Sequence, residues 1–179
     1  MFQDVMVDLE TLGQTPGCVI LSIGAVAFDT DRMSLGEEFY DVVNTDDCLT
    51  RGLTTDQSTI DWWASQNSQA REVVEQAKIG GLLLEDSLVR FSDYLRRYSL
   101  RNVRVWGNGS DFDNAILACA YRACGMELPW KFWNNRCYRT MKSVKNAPSP
   151  KRVGTYHNAL DDAKTQAQHM MEFMNARTG

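Results

Sequence analysis

Asp8 and Glu10 stand two residues apart in the stretch Asp4-Val-Met-Val-Asp8-Leu-Glu10. In an extended chain that spacing turns both carboxylates to one face. Two negative charges about 4 Å apart repel by about 4 kcal/mol at an effective dielectric of 20, so a buried pair calls for a cation, a shared proton or ample solvent. Exposed strand acids are also common, and the pair alone does not choose among these. A second group of acids follows in Gly107-Asn-Gly-Ser-Asp111-Phe-Asp113, where a turn enters a helix. Positions two apart on a helix diverge by about 200°, so Asp111 and Asp113 cannot share a task. Ser110 or Asp111 suits the capping position, and Asp113, in the first turn, is the candidate for the site. The third group is Tyr156-His157-Asn158-Ala159-Leu160-Asp161-Asp162, and the chain has only two histidines. An imidazole beside carboxylates can move protons near neutral pH. His169, within a helical stretch and without acidic company, reads as structural.

These residues need elements to hold them. Residues 4–10 alternate, with Val5, Val7 and Leu9 on one face and Asp4, Met6, Asp8 and Glu10 on the other, which predicts a strand. Residues 19–28 predict a second strand and 38–44 a third, with a turn over 29–34, giving an antiparallel meander. Residues 58–77 predict two short helices ended by Gly80-Gly81, and 85–98 an amphipathic helix carrying Leu88, Phe91, Leu95 and Tyr98. A short strand over 103–106 and a helix over 111–124 follow. The last helix spans about 158–176, with Leu160, Ala163, Ala167, Met170, Met171 and Met174 on one stripe that reads as core. Residues 128–160 read as a basic, irregular region whose 147–154 portion is a mobile loop. The order predicts an α/β fold, a mixed sheet with helices packed on it, in a single domain over residues 1–179.

Composition narrows the class. With 179 residues, 44% hydrophobic and 23% charged, the chain is a packed globule rather than a disordered or low-complexity segment. No apolar run approaches the roughly 20 residues of a membrane span, and the start does not read as a signal peptide, so a cytoplasmic protein is expected. Five cysteines without a CxxC pair suggest neither a disulfide framework nor a zinc knuckle. There is no phosphate-binding GxxxxGK[ST] loop and no complete dinucleotide fingerprint. The net charge of −4 conceals a segment, residues 128–160, with seven basic residues and no acidic one. There Lys131, Arg136, Arg139, Lys142, Lys145, Lys151 and Arg152 alternate with Trp130, Phe132, Trp133, Tyr138 and Tyr156. Such a mixture grips phosphates and stacks on bases, or equally solvates a surface over buried aromatics.

Taken together, D-x-E at Asp8 and Glu10, N-G-x-x-F-D ending at Asp113, and H-x-x-x-x-D from His157 to Asp162 resemble the DEDDh branch of the 3′–5′ exonucleases, of the ribonuclease H-like superfamily. V-D-L-E-T-L-G, Ile60-Asp-Trp62-Trp63, Trp106-Gly-Asn-Gly and the stretch from Leu128 to Arg136 resemble the smaller subgroup with phage exonuclease A, the nuclease part of exonuclease VIII and mycobacterial ribonuclease AS. Cys137 departs from the pattern, standing where relatives usually carry an Asp. The resemblance implies a ribonuclease H-like sheet, three antiparallel strands followed by parallel ones. It implies two Mg²⁺ or Mn²⁺ ions held by Asp8, Glu10, Asp113 and Asp162, with His157 as general base. Hard oxygen ligands suit those ions, which about 3.5–4 Å apart can drive phosphodiester hydrolysis to nucleoside 5′-monophosphates. By the same resemblance Thr11 and Leu12 would hold the terminal nucleotide, although Leu12 is also a plain core residue. Trp62, Arg136, Arg139 and Lys142 are candidates for the rest of a single-stranded substrate, RNA slightly ahead of DNA. Trp62 and Trp63 would have one ring buried and one partly exposed. Dimerisation, which occurs in the subgroup, would let one subunit complete its partner's groove. The competing reading is a nuclease-like module that binds nucleic acid without cutting it.

Overall fold

The computed structural model describes residues 2–98, 102–145, 147 and 149–178. Its centre is a sheet of five strands: β1 (Asp4–Thr11), β2 (Ile20–Asp29), β3 (Ser34–Val42), β4 (Arg104–Gly107) and β5 (Asn135–Cys137), in the order β3-β2-β1-β4-β5. β1 pairs antiparallel with β2, and β2 with β3, whereas β4 runs parallel to β1 and β5 parallel to β4. The helices are α1 (Thr45–Thr50), α2 (Gln57–Ser65), α3 (Ser68–Ile79), α4 (Leu84–Arg96), α5 (Asp113–Ala123), α6 (Tyr138–Lys142) and α7 (Ala159–Thr178).

Alternation along β1 divides the core. Val5, Val7 and Leu9 join the larger cluster with residues of β2, α4 and α5, while Met6 lies on the other face against Ala163, Ala167 and Met170 of α7. That second face also carries Asp4, Asp8 and Glu10, so the acids share a side with α7. Gly24 of β2, opposite Asp8 in the register, makes the approach possible. A Cβ there would lie 2.2 Å from backbone atoms of Ala159 and Leu160, so only glycine admits the start of α7 onto the sheet.

Several boundaries differ from the sequence reading. β3 begins at Ser34 and ends at Val42, because a shift in register between Val26 and Phe28 lets Ser34 and Leu35 pair with Asp29 and Phe28. α1, a single short helix capped by the Asn44 side chain, was not anticipated. α5 starts at Asp113 with no side-chain cap. The amides of Phe112 and Asp113 bond instead to the carbonyl of Gly109, which corrects the capping role expected of Ser110 or Asp111. The basic region is also not irregular throughout: it supplies a 3₁₀ turn (Phe132–Asn134), β5 and α6. Cys137 ends β5, and its Sγ accepts the Thr140 amide at 3.4 Å as the cap of α6. Of the 147–154 loop, residues 149–153 have no regular structure, and Pro148 lies outside the described residues. His169 is buried against the Tyr138 hydroxyl, 2.7 Å from its Nδ1, as a structural histidine. Among the described residues no helix is long and apolar enough to cross a membrane.

Candidate active site

The three acids on the α7 side of β1 are treated differently. Asp4 is neutralised by the Arg104 guanidinium, with Nε at 2.6 Å, and accepts a further bond from the Trp106 indole at 2.7 Å. Among the described residues Asp8 receives only the Gln166 amide of α7, 2.7 Å from its Oδ1. Asp8, Glu10 and Asp162 can place one carboxylate oxygen each within 4.8 Å of one another. Asp113 closes the group from the start of α5. Its Oδ1 accepts the Leu9 amide at 3.2 Å, between the two β1 acids, and its buried Oδ2 has no hydrogen-bond partner among the described residues.

Sequence-distant elements produce this convergence. Gly107, at the end of β4, lets α5 close in: a Cβ there would meet the Asn114 side chain at 2.6 Å and the Asp113 side chain at 2.9 Å. At the start of α7 the Asn158 side chain accepts the Asp161 amide at 3.1 Å, so Asn158 caps the helix. Asp161 turns away from the acids and accepts the Thr155 amide at 2.8 Å, leaving Asp162 to face the sheet. His157, just before the cap, has φ +61, a left-handed conformation uncommon for a residue with a side chain. Its ring meets Trp62 edge-on at 5.0 Å and Trp63 at 6.1 Å.

Crowding without enough counter-charge shows in the titration of the acids. Burial, and then the charges of Asp113, Glu10 and Asp162, push the Asp8 carboxyl well above its usual range, against the Gln166 hydrogen bond. Burial with Asp162 and Asp113 raises Glu10 to about 8, and burial raises Asp113 to about 7 despite its backbone hydrogen bonds. The site therefore fits a divalent cation on its own terms. It offers hard oxygen donors, carboxyls that hold protons where a cation would replace them, and two buried acceptors, Asp113 Oδ2 and Gln166 Oε1, without partners among the described residues.

The other expected contacts are distributed around this centre. The Thr11 hydroxyl is spent on the Gly13 carbonyl at 2.7 Å, and its own carbonyl receives the Trp63 indole at 2.9 Å. Leu12 is in the core cluster and borders, with Ile60, Trp63 and Val74, a cavity of about 260 Å³. Trp63 is buried and Trp62 is 42% exposed, as the adjacent pair suggested. Arg139 lies beside Gly109, within reach of Asp113's field, and the Lys142 ammonium sits 5.2 Å from the Tyr138 ring and feels Asp8. Arg136 instead donates to the carbonyls of Trp133 and Asn135, at 3.1 and 2.9 Å. Three contributors were missed: Gly24, Gln166 and the individual part of Arg152, whose guanidinium pairs with Asp162. For Gln166 a signal existed, since it lies four residues after Asp162 and so on the same helix face.

A five-stranded mixed sheet, four carboxylates brought together from β1, α5 and α7, and a histidine just before the last helix are the features of the DEDDh class of 3′–5′ exonucleases. Comparison with known proteins agrees. Residues 3–174 match the family described as the 3′-5′ exoribonuclease Rv2179c-like domain, and the chain belongs to that family. It is 25% identical over 184 residues to the exodeoxyribonuclease of Enterobacteria phage T4, covering 83% of this chain and 77% of that one. In structure it resembles the nuclease domain of 3′hExo, a DEDDh family member solved with rAMP, at a TM-score of 0.63 and 14% identity over 98% of this chain and 93% of that one. It also resembles the zinc-bound complex of E. coli ExoI with single-stranded DNA, at a TM-score of 0.68 and 15% identity, over 97% of this chain but 40% of that one.

Proposed function

We propose that this 3′–5′ exonuclease shortens single strands from the 3′ end, RNA slightly ahead of DNA, releasing nucleoside 5′-monophosphates. The observation that carries this reading is the meeting of Asp8, Glu10, Asp113 and Asp162 from β1, α5 and α7, with His157 standing just before α7, the helix that carries Asp162. Asp8, Glu10, Asp113 and Asp162 would hold two ions, Mg²⁺ or Mn²⁺, with Asp8 common to both, Glu10 and Asp162 serving one and Asp113 the other. When bound, such ions supply charge neutralisation and water activation on one side of the phosphodiester and stabilise the leaving oxygen on the other. His157 accepts the proton of the attacking water. The water oxygen bonds to phosphorus as the bond from phosphorus to the 3′-oxygen of the shortened strand breaks, that oxygen takes a proton from solvent to become a hydroxyl, and the terminal nucleotide leaves with its 5′-phosphate. Contacts with Trp62 and Trp63 restrict the His157 ring, as a general base that must act in one orientation requires.

The sugar preference leans on the family's exoribonuclease description, against which stands the phage exodeoxyribonuclease. Thr11, Leu12 and Trp62 are proposed to receive the terminal nucleotide, and Arg136, Arg139 and Lys142 the strand behind it. The cysteines, all free among the described residues, fit a reducing, cytoplasmic setting for a single-domain enzyme. The decisive test digests matched 5′-labelled RNA and DNA oligonucleotides with Mg²⁺, Mn²⁺ or EDTA, alongside Asp8→Ala and His157→Ala. The expected outcome is a ladder shortening from the 3′ end, dependent on metal and lower by at least about a hundredfold in both variants. Binding of both strands with no cleavage in any metal would replace this reading with the binding module.

A further inference from the structure

We propose that Arg152 is the phosphate clamp of this active site, held in reserve as the counter-ion of Asp162 until a substrate phosphate takes that carboxylate's place beside its guanidinium. The inference rests on the divalent-cation reading of the four acids. Only Nη1 of Arg152 engages Asp162, whereas Nε and Nη2 are buried and have no hydrogen-bond partner among the described residues. A guanidinium with part of its fork unspent is suited to a second, oxygen-rich anion. The Tyr156 ring lies 4.4 Å from the guanidinium carbon and limits its orientation.

The backbone behind it is tied down. The Val153 amide donates to the Thr165 hydroxyl at 3.0 Å, and the Thr155 amide to Asp161 at 2.8 Å, both on α7. Between them Gly154 has φ +66, and a Cβ there would lie 2.2 Å from the Asp161 carboxyl, so this stretch is seated against the helix that carries Asp162. Arg152 is therefore presented to the acids by a fixed support rather than by an accident of a long side chain. Charge balance favours the exchange. Four carboxylates and one phosphodiester bring five negative charges, two divalent cations neutralise four, and Arg152 supplies the remaining positive charge. Asp162, once its oxygens are committed to a cation, holds the guanidinium less strongly and frees it for the phosphate.

The test compares wild type with Arg152→Gln and Arg152→Lys, first by calorimetric titration of Mn²⁺ without nucleic acid, then by steady-state cleavage of a short single-stranded oligonucleotide. Removing a positive charge that competes for Asp162 is expected to tighten Mn²⁺ binding about threefold or more in Arg152→Gln, while KM for the oligonucleotide rises about tenfold or more and kcat changes less. Arg152→Lys is expected to fall between the two in KM. Weaker Mn²⁺ binding in Arg152→Gln, or an unchanged KM, overturns the proposal. Should Arg152→Gln fail to fold, as judged by circular dichroism, Arg152→Lys decides alone, and a wild-type KM there overturns the clamp. A wild type that takes up no Mn²⁺ removes the cation reading and this proposal together, whereas normal uptake with unaltered KM in the variants removes only the role of Arg152.

Discussion

Glu10 shows how a single carboxyl links folding, pH and cation binding. Its pKa is raised to about 8 by burial and by Asp162 and Asp113, so the folded chain holds a proton that the unfolded chain releases near 4.5. The resulting stability is fully present below the unfolded value and is lost as pH rises toward about 8. In EDTA, the melting temperature of the wild type is therefore expected to fall between pH 5 and pH 8. Glu10→Gln should flatten that fall and melt a few degrees higher at pH 8, because removing about 1–2 kcal/mol of repulsion shifts a domain of this size by about 2–4 °C per kcal/mol. Mn²⁺ needs the ionised carboxylates, so its stabilisation of the wild type should be larger at pH 8 than at pH 6. Thermal melts at the two pH values, with and without Mn²⁺, check all three statements. Coincident profiles for variant and wild type would place the crowding elsewhere.

At the scale of elements, the seating of α7 on β2 decides whether these acids ever meet. Gly24→Ala would push a methyl group into the backbone of Ala159 and Leu160, and the helix can relieve the clash only by moving off the sheet. A shift of about 1 Å at reacting groups can cost about a hundredfold in rate. We expect a loss of kcat of at least that size, and destabilisation of about 2–4 kcal/mol in urea melts. A fully active Gly24→Ala would mean that Asp162 is positioned without this contact. The same contact explains what the sequence could and could not reveal. Alternation in β1 and the 3.6-residue period of α4 and α7 are local, so those elements and the motif acids upon them were readable. β5, a strand of three residues in aromatic and basic surroundings, has no alternation to read and exists because β4 offers it an edge. Gly24 and Arg152 acquire their meaning from helix α7 and residue Asp162, which no local pattern announces. The turn expected over 29–34 is present but shorter, over residues 30–33, since Asp29 and Ser34 extend through pairing with each other as the last rung of β2 and β3.

On the scale of the whole molecule, the unequal charge distribution gives the catalytic centre a surround. The chain carries −4 in total, yet residues 128–160 hold seven basic residues and no acid, and this stretch crosses the sheet edge at β5 before returning to His157. Phe132 and Trp133, just before β5, are 72% and 62% exposed and meet edge-on at 5.0 Å, with Lys131 and Arg136 as neighbours in the chain. Large exposed aromatics are costly to leave bare, and beside cations they suit unstacked bases. β5 runs parallel to β4 and β1, so residues preceding it lie toward the end of the sheet opposite Asp8 and Glu10. A base resting there is expected to belong to the strand behind the 3′ end rather than to the terminal nucleotide. Phe132→Ala combined with Trp133→Ala should therefore leave cleavage of a dinucleotide unchanged, while raising KM for a long single strand about tenfold, since base stacking on an aromatic side chain contributes about 1–3 kcal/mol per base. Affinity for the long strand should also fall steeply with salt, and Arg139→Ala and Lys142→Ala should each make that dependence shallower. Length-resolved kinetics at two salt concentrations measure both effects. If the double variant instead changes the molecular mass seen by light scattering and leaves long-strand KM alone, the aromatic pair covers a second copy of the chain rather than the substrate.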